Sequence, residues 1–195
     1  MSIITLQGMP GSFSEAAAEV FAKSRQLEQY TLRYAITSSA TLHDLSTDQA
    51  DIAIIAIKNT RGGLVLESLH ALAAHQCSII EIFSCPINQS LLIHPDVTPE
   101  QIKSICSHPQ ALRQCRDFLA AHFPDHTQIE AEDTAIAAKN LSSDTLNRET
   151  AVIAHARCAT LYGLKVMSEN IQDDPFNSTT FLSLEKRDKL DQKKA

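Results

Sequence analysis

Hydroxyl residues stand at the expected N-termini of three helices. Ser12 and Ser14 lie in the loop GSFSE, Ser107 lies in SHPQ, and Thr134 lies in EDTA. Backbone N–H groups and the positive end of the helix dipole suit an anion at such a position. Capping alone explains any one of these residues. Because strand–helix loops gather along one edge of an α/β sheet, the three together predict a cleft for a small polyanion.

A further group of hydroxyls precedes the apolar segment 181–184. The stretch NSTTF, residues 177–181, places three hydroxyl residues in a row. Serine and threonine compete with the backbone for hydrogen bonds and fill a core poorly. Judged alone, the stretch is typical of a solvated turn that leads into a strand.

The elements that must position these residues follow an α/β pattern. Apolar runs of strand length alternate with segments of helical period. Strands are predicted at residues 3–6, 31–36, 51–57, 77–83, 104–106, 127–131, 150–154, 164–167 and 181–184. Helices are predicted at residues 15–24, 41–45, 64–75, 110–122, 133–141 and 155–163. The nearly continuous apolar character of 51–57 predicts a central strand buried on both faces.

The order of these elements predicts two lobes. After residue 86 the strand–helix pattern restarts, so the second lobe is inserted into the first. We assign residues 1–86 plus 170–186 to lobe 1 and residues 87–169 to lobe 2. The charge-dense segment 187–195 has no apolar period and is expected to be a disordered tail.

Composition excludes several classes of function. The 195 residues carry a net charge of -6, and the sequence contains no tryptophan, which argues against a nucleic-acid partner. No apolar run approaches the roughly 20 residues that span a bilayer, so no membrane partner is expected. The N-terminus lacks the pattern of a secretion signal, which predicts a cytoplasmic protein.

The residues that most often bind metals are not arranged as ligands. The five cysteines are odd in number and never form C-x-x-C, so we interpret them as reduced thiols in or near the core. His70 and His75 are five residues apart, a spacing that does not place them on one helical face. No metal site is expected.

Six ordered motifs carry a resemblance to a known family. They are GMPGSFSEAAA, ADIAIIAIKNTRGG, SHPQALRQCRDFL, EDTAIAA, AHARCATLYGLKVM and NIQDDPFNSTTF. In order and spacing the sequence resembles the prephenate dehydratase catalytic domain over about residues 3–184. The resemblance implies two α/β lobes of the type II periplasmic-binding-protein kind, with the substrate in the inter-lobe cleft.

The resemblance also implies a reaction and its residues. Prephenate, a dicarboxylate, would be converted to phenylpyruvate with loss of carbon dioxide and water, and no cofactor would be needed. Thr179 matches the threonine of the family's T-R-F motif, and we expect it to act as a hydrogen-bond donor or relay to the departing hydroxyl. The other matching positions, expected to bind substrate, are Ser12, Ser14, Asn59, Thr60, Ser107, His108, Gln110, Asn177 and Phe181.

Two positions depart from the family pattern. Lys58 stands where the family has glutamate, and Thr180 stands where it has the arginine of T-R-F. If that arginine holds a substrate carboxylate, Thr180 cannot replace its charge. We therefore count Lys58 and Thr180 among the substrate-binding positions and expect Lys58, or Arg61, to supply a compensating cation from the other side of the cleft.

Three functions remain open from the sequence. The first is a prephenate dehydratase, which without a regulatory ACT domain is expected to be insensitive to phenylalanine. The second is a relative that decarboxylates prephenate without forming an aromatic ring, and retention of Thr179 argues against it. The third is a binding protein that has lost turnover. A homodimer is expected by analogy with the family.

Overall fold

The chain falls into two compact units in the computed structural model, which describes residues 1–187. The first unit contains Met1–Met9, Phe13–Pro86 and the chain from Ser178 onward, and the second contains Pro10–Ser12 and Ile87–Asn177. The second unit thus includes residues 170–177, which the sequence assigned to lobe 1. The predicted disordered tail, apart from Arg187, lies outside the described residues.

The first unit is built on one mixed sheet. Its strands are β1 (Ser2–Gln7), β2 (Tyr30–Ala35), β3 (Ile52–Asn59), β4 (Gly63–Leu64), β5 (Cys77–Pro86) and a late strand, Ser178–Lys186, that follows the second unit in the chain. Its helices are α1 (Phe13–Ser24), α2 (Ser38–Ser46) and α3 (Leu66–Ala74). The order across the sheet is β2, β1, β3, the late strand and β5, with β4 also paired to β3. The late strand is antiparallel to both of its neighbours, whereas β1 is parallel to β2 and β3.

Both faces of this sheet are covered. Ile54 packs in one cluster with Phe21 of α1, whereas Ile55 packs in another with Leu42 and Leu45 of α2. Because side chains alternate along a strand, β3 is buried on both faces, and the prediction of a central strand at 51–57 is confirmed. We call the side covered by α1 the α1 face and the side covered by α2 the α2 face.

The second unit contains a five-stranded sheet. Its strands are β6 (Ser90–Ile93), β7 (Ser104–Ser107), β8 (Thr127–Glu130), β9 (Thr150–Ala154) and β10 (Lys165–Ser168) in the order β10, β6, β9, β7, β8. Its helices are α4 (Pro109–Gln114), α5 (Arg116–His122), α6 (Thr134–Ser142) and α7 (Arg157–Tyr162), and a 3-10 turn spans Pro99–Gln101. The strand Ser178–Lys186 of the first unit, which comes last in the chain, is numbered β11. Strands β7, β8 and β9 are parallel, so their carboxyl ends meet at one edge of the sheet.

The predicted helix 110–122 is two helices instead of one. The break falls at Cys115, where the carboxylate of Asp173 accepts hydrogen bonds from the backbone N–H groups of Asp117 (3.1 Å) and Phe118 (3.4 Å). The Asp173 N–H in turn donates to the Gln114 carbonyl oxygen at 2.7 Å. A carboxylate distant in sequence therefore caps α5 and ends α4.

None of the helices in the described chain is long and apolar enough to cross a membrane.

Candidate active site

A hydrogen bond between Asn59 and Thr179 joins β3 to β11. The two residues are cross-strand partners, and the Asn59 Nδ2 donates to the Thr179 Oγ1 at 2.9 Å. Thr179 is 8% exposed and Asn59 is 5% exposed, so water is largely excluded from this contact. Thr179 therefore lies inside a strand, and the interpretation of NSTTF as a solvated turn is wrong. The prediction missed this because the partner strand is distant in sequence.

The orientation of the Asn59 carboxamide is fixed by a turn. Its Oδ1 accepts the backbone N–H groups of Arg61 (2.9 Å) and Gly62 (2.8 Å), and its Nδ2 donates to the carbonyl of Ser178 at 3.1 Å as well as to Thr179. Because backbone N–H groups can only donate, the oxygen must face the turn and the nitrogen must face β11. Thr179 consequently receives a hydrogen bond from Asn59.

Two hydrogen bonds connect Thr60, in the same turn, to the start of β11. The Thr60 N–H donates to the Ser178 carbonyl at 2.9 Å, and the Ser178 N–H donates to the Thr60 Oγ1 at 3.0 Å. The structure therefore brings together three of the predicted site residues, Asn59, Thr60 and Thr179. Phe181, two residues further along β11, is 1% exposed and packs on the α1 face with Phe83, so it supports the strand from within the core.

Lys58 and Thr180 lie on the opposite face from Thr179. Along β11 the side chains of Thr179 and Phe181 share the α1 face, so Thr180 lies on the α2 face. Thr180 is the cross-strand partner of both Lys58 and Ser84, and its Oγ1 is 3.1 Å from the Ser84 Oγ. Lys58 and Thr180 are therefore neighbours in one sheet and do not lie on two sides of a cleft, which corrects their expected placement. A role for Lys58 as a substrate-binding cation stays a prediction.

In the second unit, His108 lies where β7 passes into α4. Its Nδ1 accepts the Gln110 N–H at 3.2 Å, so in the neutral ring Nε2 carries the proton. Burial lowers the pKa of His108, and the positive charge of Arg113 lowers it further, whereas the carboxylates of Asp133 and Glu130 oppose the shift. Ser107 is fully buried, and its hydroxyl donates to the Ile153 carbonyl at 2.6 Å. The hydroxyl proton of Ser107 is therefore engaged in a hydrogen bond within the sheet.

The N-termini of α4 and α6 do not present the unfilled anion sites that the sequence suggested. Asp133 caps α6, where its Oδ1 accepts the N–H groups of Ala135 (2.7 Å) and Ile136 (3.1 Å), so a carboxylate of the chain itself occupies that end and Thr134 is the first helical residue. At the N-terminus of α4, Pro109 has no N–H group, and the His108 Nδ1 accepts the hydrogen bond of the Gln110 N–H. Both N-termini are thus satisfied internally.

The remaining predicted residues are divided between the units. Ser14 is half-buried in the first turn of α1, in the first unit. Ser12 and Asn177 belong to the second unit, where they are 4% and 2% exposed. The Asn177 backbone N–H donates to the Asp174 carbonyl at 3.1 Å, and its carbonyl accepts the Ile87 N–H at 2.9 Å.

Sequence reasoning missed the contacts that hold the loop containing Ser12. Within the second unit, the Tyr162 hydroxyl donates to the Pro10 carbonyl at 2.7 Å, and the Cys158 Sγ lies 3.3 Å from the Gly11 carbonyl oxygen. Gly11 has a φ of +89°, and a Cβ at this position would lie 2.7 Å from the Cys158 Sγ. The P-G dipeptide was the signal that this loop needs a glycine.

The depressed pKa of His108 predicts that acid destabilises the second unit. An unfolded histidine titrates near ~6.5. Between that value and the lower folded pKa, the unfolded chain binds more protons, so the free energy of unfolding should fall as the pH is lowered through this window. Protonation also removes the Nδ1 acceptor of the Gln110 N–H. His108→Asn, which can still cap α4, should flatten the decline in Tm between pH 7 and 5 measured by thermal melts.

The exposed His70 on α3 provides the matched control for this measurement. His70→Gln should follow the wild-type pH dependence of Tm. Equal slopes in the wild type and in His108→Asn would contradict the assignment of this acid sensitivity to His108.

Comparison with known proteins decides the family. The sequence profile described as Prephenate dehydratase matches residues 4–189. The chain belongs to the prephenate dehydratase family. The resemblance predicted from the six motifs is therefore confirmed, and so is the mixed α/β architecture with two sheets.

Members of the prephenate dehydratase family match most of this chain. The arogenate dehydratase/prephenate dehydratase 1 of Arabidopsis thaliana, described as chloroplastic, is 36% identical over 184 residues, which are 93% of this chain and 44% of that protein. A crystal structure of prephenate dehydratase from Arthrobacter aurescens, in complex with L-Phe, is 30% identical with a TM-score of 0.86 and covers 94% of this chain and 60% of the solved chain. A structure named GqqA, a quorum quenching acylase, is 26% identical with a TM-score of 0.81 over 95% of this chain and 64% of the other. The chain thus spans less than half the length of the Arabidopsis relative.

Proposed function

We propose that this chain catalyses the decarboxylating dehydration of prephenate to phenylpyruvate. Family membership supports this activity, and the same support extends to arogenate, since the name of the Arabidopsis relative includes both dehydratase activities. The observation that carries the proposal is the hydrogen bond from the Asn59 Nδ2 to the Thr179 Oγ1.

That hydrogen bond determines what the Thr179 hydroxyl can do. A threonine hydroxyl has one proton and two lone pairs. Because one lone pair accepts from Asn59, the proton points elsewhere, and it has no acceptor among residues 1–187. Thr179 is therefore arranged as a hydrogen-bond donor.

A donor is what the departing ring hydroxyl requires. The ring carboxylate leaves as carbon dioxide, and its bonding electron pair enters the ring. The C–O bond then breaks with its own electron pair, and the departing hydroxide takes up a proton and leaves as water. A threonine hydroxyl is too weak an acid to supply that proton alone at neutral pH, so Thr179 stabilises the charge that develops on the oxygen. Formation of the aromatic ring supplies the driving force.

The arrangement favours a dehydratase over an acylase that uses Thr179 as a nucleophile. A hydroxyl nucleophile needs a base that accepts its proton. The Thr179 Oγ1 is hydrogen-bonded to the Asn59 Nδ2, which is a donor. Asn59 therefore cannot activate Thr179 for attack.

The compartment and the oligomeric state remain predictions. We propose a cytoplasmic location, and the resemblance to the family supports a homodimer. Size-exclusion chromatography with light scattering measures the second directly.

An assay of the purified chain with prephenate and with arogenate tests the proposed function. Aromatic product should be detected by ultraviolet absorbance, and carbon dioxide should be released in equal amount. Carbon dioxide without an aromatic product would instead identify a non-aromatising decarboxylase. Calorimetric binding without any product would identify a binding protein, and cleavage of an acyl amide in place of these reactions would identify an acylase.

A further inference from the structure

We propose that a cavity in the second unit binds a small aromatic molecule that carries an ammonium group. The cavity has a volume of about 370 Å³ and is lined by residues of the 3-10 turn Pro99–Gln101, of α5 and of β10. This volume falls within the range of small-molecule sites in proteins. None of the residues that line it is among the predicted site residues. The inference therefore goes beyond the proposed function and does not rest on it.

Two pairs of rings form the walls of the cavity. The His122 ring stacks on Phe118 with ring centroids 4.4 Å apart, and the His126 ring meets Phe123 edge to face at 4.9 Å. Ile102, which is 4% exposed, and the buried Phe123 line the cavity and also belong to the hydrophobic core of this unit. Aromatic rings prefer stacked and edge-to-face contacts with other rings, so these walls favour an aromatic ligand.

Backbone carbonyl groups hold both imidazole rings in place. The His122 Nδ1 lies 3.0 Å from the Phe118 carbonyl oxygen, and the His126 Nε2 lies 2.8 Å from the Ile102 carbonyl oxygen. Because a carbonyl oxygen can only accept, each of these ring nitrogens carries a proton. Walls that are fixed before binding lower the entropy cost of holding a ligand.

The polar groups of the cavity suit a cation. Glu100, in the 3-10 turn, is solvent-exposed and contributes a carboxylate to the lining. A hydrogen bond from the Thr98 side chain lowers the pKa of Glu100, so this group is ionised at neutral pH. An ammonium group on the ligand can pair with Glu100, and the faces of the phenylalanine rings attract it as well.

The same lining is unsuited to an anion. It contains no lysine or arginine among the residues that the structure describes. A ligand carboxylate would therefore have no cation to pair with and would be repelled by Glu100. For this reason the dianionic substrate of the proposed function is not a ligand of this cavity.

An NMR titration of the ¹⁵N-labelled chain with 2-phenylethylammonium tests the inference. It is made at pH 8, where a free imidazole is uncharged. We expect a Kd of about 0.1–1 mM, as befits so small a ligand, with the largest chemical-shift changes at residues 99–102, 118–126 and 167–168. The matched anion 3-phenylpropionate, which keeps the ring and the chain, should bind about 3- to 10-fold more weakly.

Two exposed positions provide variants that should keep the fold. His122→Ala removes one ring of a wall, and Kd for the ammonium ion should rise by about 5- to 10-fold. Glu100→Gln removes the carboxylate, and Kd should rise by about 2- to 5-fold because the charge pair is exposed. His70→Ala and Glu28→Gln make the same changes at exposed positions of the first unit and should leave Kd unchanged.

Three results would overturn the proposal. The first is the absence of saturable chemical-shift changes up to about 20 mM of the ammonium ion, well above the expected Kd. The second is a set of changes confined to the first unit, for example around Thr179, which would assign the ligand to another site. The third is an equal affinity for 3-phenylpropionate together with an unchanged Kd in Glu100→Gln, which would show that the cavity does not select a cation.

Discussion

Thr179→Val is expected to lower kcat by about 10²- to 10³-fold, the usual effect of removing one donor to a developing oxyanion. Valine keeps the shape of the side chain but cannot donate to the leaving oxygen. The Asn59 Nδ2 would keep the Ser178 carbonyl as an acceptor at 3.1 Å, so the free energy of unfolding should fall by only about 1 kcal/mol. Rates of aromatic product formation and thermal melts of the same samples measure both quantities.

Thr179→Ser is the matched control because it retains the hydroxyl. It should keep most of the activity that Thr179→Val loses. A Thr179→Val variant with near wild-type kcat and an unchanged Tm would show that another group meets the leaving oxygen.

Asn59→Asp is expected to lower kcat nearly as much as Thr179→Val does. An aspartate can still accept the N–H groups of Arg61 and Gly62, so the turn should survive. It cannot donate to the Thr179 Oγ1, and the threonine proton would instead turn toward the carboxylate. The donor would then be withdrawn from the leaving oxygen. Because the new negative charge also repels a dianion, kcat must be measured at saturating substrate.

Asn59→Ala separates the two roles of this side chain. Alanine removes the acceptor of the turn as well as the donor to Thr179, and leaves buried polar groups without partners. Its free energy of unfolding should therefore fall by about 2–4 kcal/mol, more than that of Asn59→Asp. If Asn59→Asp lost stability but kept kcat, Asn59 would be a purely structural residue.

Local sequence was sufficient for most elements of this fold. The apolar run 51–57 predicted the central strand, and Gly163, with its φ of +67°, closes α7 as expected. What local sequence could not show were contacts between distant residues. Asp173, more than fifty residues further along the chain, breaks the predicted helix 110–122 into two helices. No residue near Cys115 in the sequence indicates this break.

The candidate site shows the same limit. Thr179 and Asn59 were both identified by motif, but their hydrogen bond links positions 120 residues apart. The faces of Lys58 and Thr180 depend on a register shift between Thr180 and Phe181, where β3 contributes an extra residue. A shift of one residue reverses the side of the sheet that a residue occupies, and the alternation of polar and apolar residues near a strand end is too short to reveal it. The sequence therefore showed that position 58 carries a positive charge, but it did not show on which face of the sheet the Lys58 side chain lies.

The place of β11 in the chain has a consequence for biosynthesis. This strand pairs with β3 on one side and β5 on the other, yet the ribosome makes it only after the whole of residues 87–177. Synthesis of residues 87–177 takes on the order of ten seconds at ribosomal rates. During this time β3 and β5 of the nascent chain lack the strand that joins them. Unpaired apolar strands are the segments that chaperones shield from aggregation. Thr179 arrives with that joining strand, so assembly of the Asn59–Thr179 pair and closure of the first sheet occur in the same step.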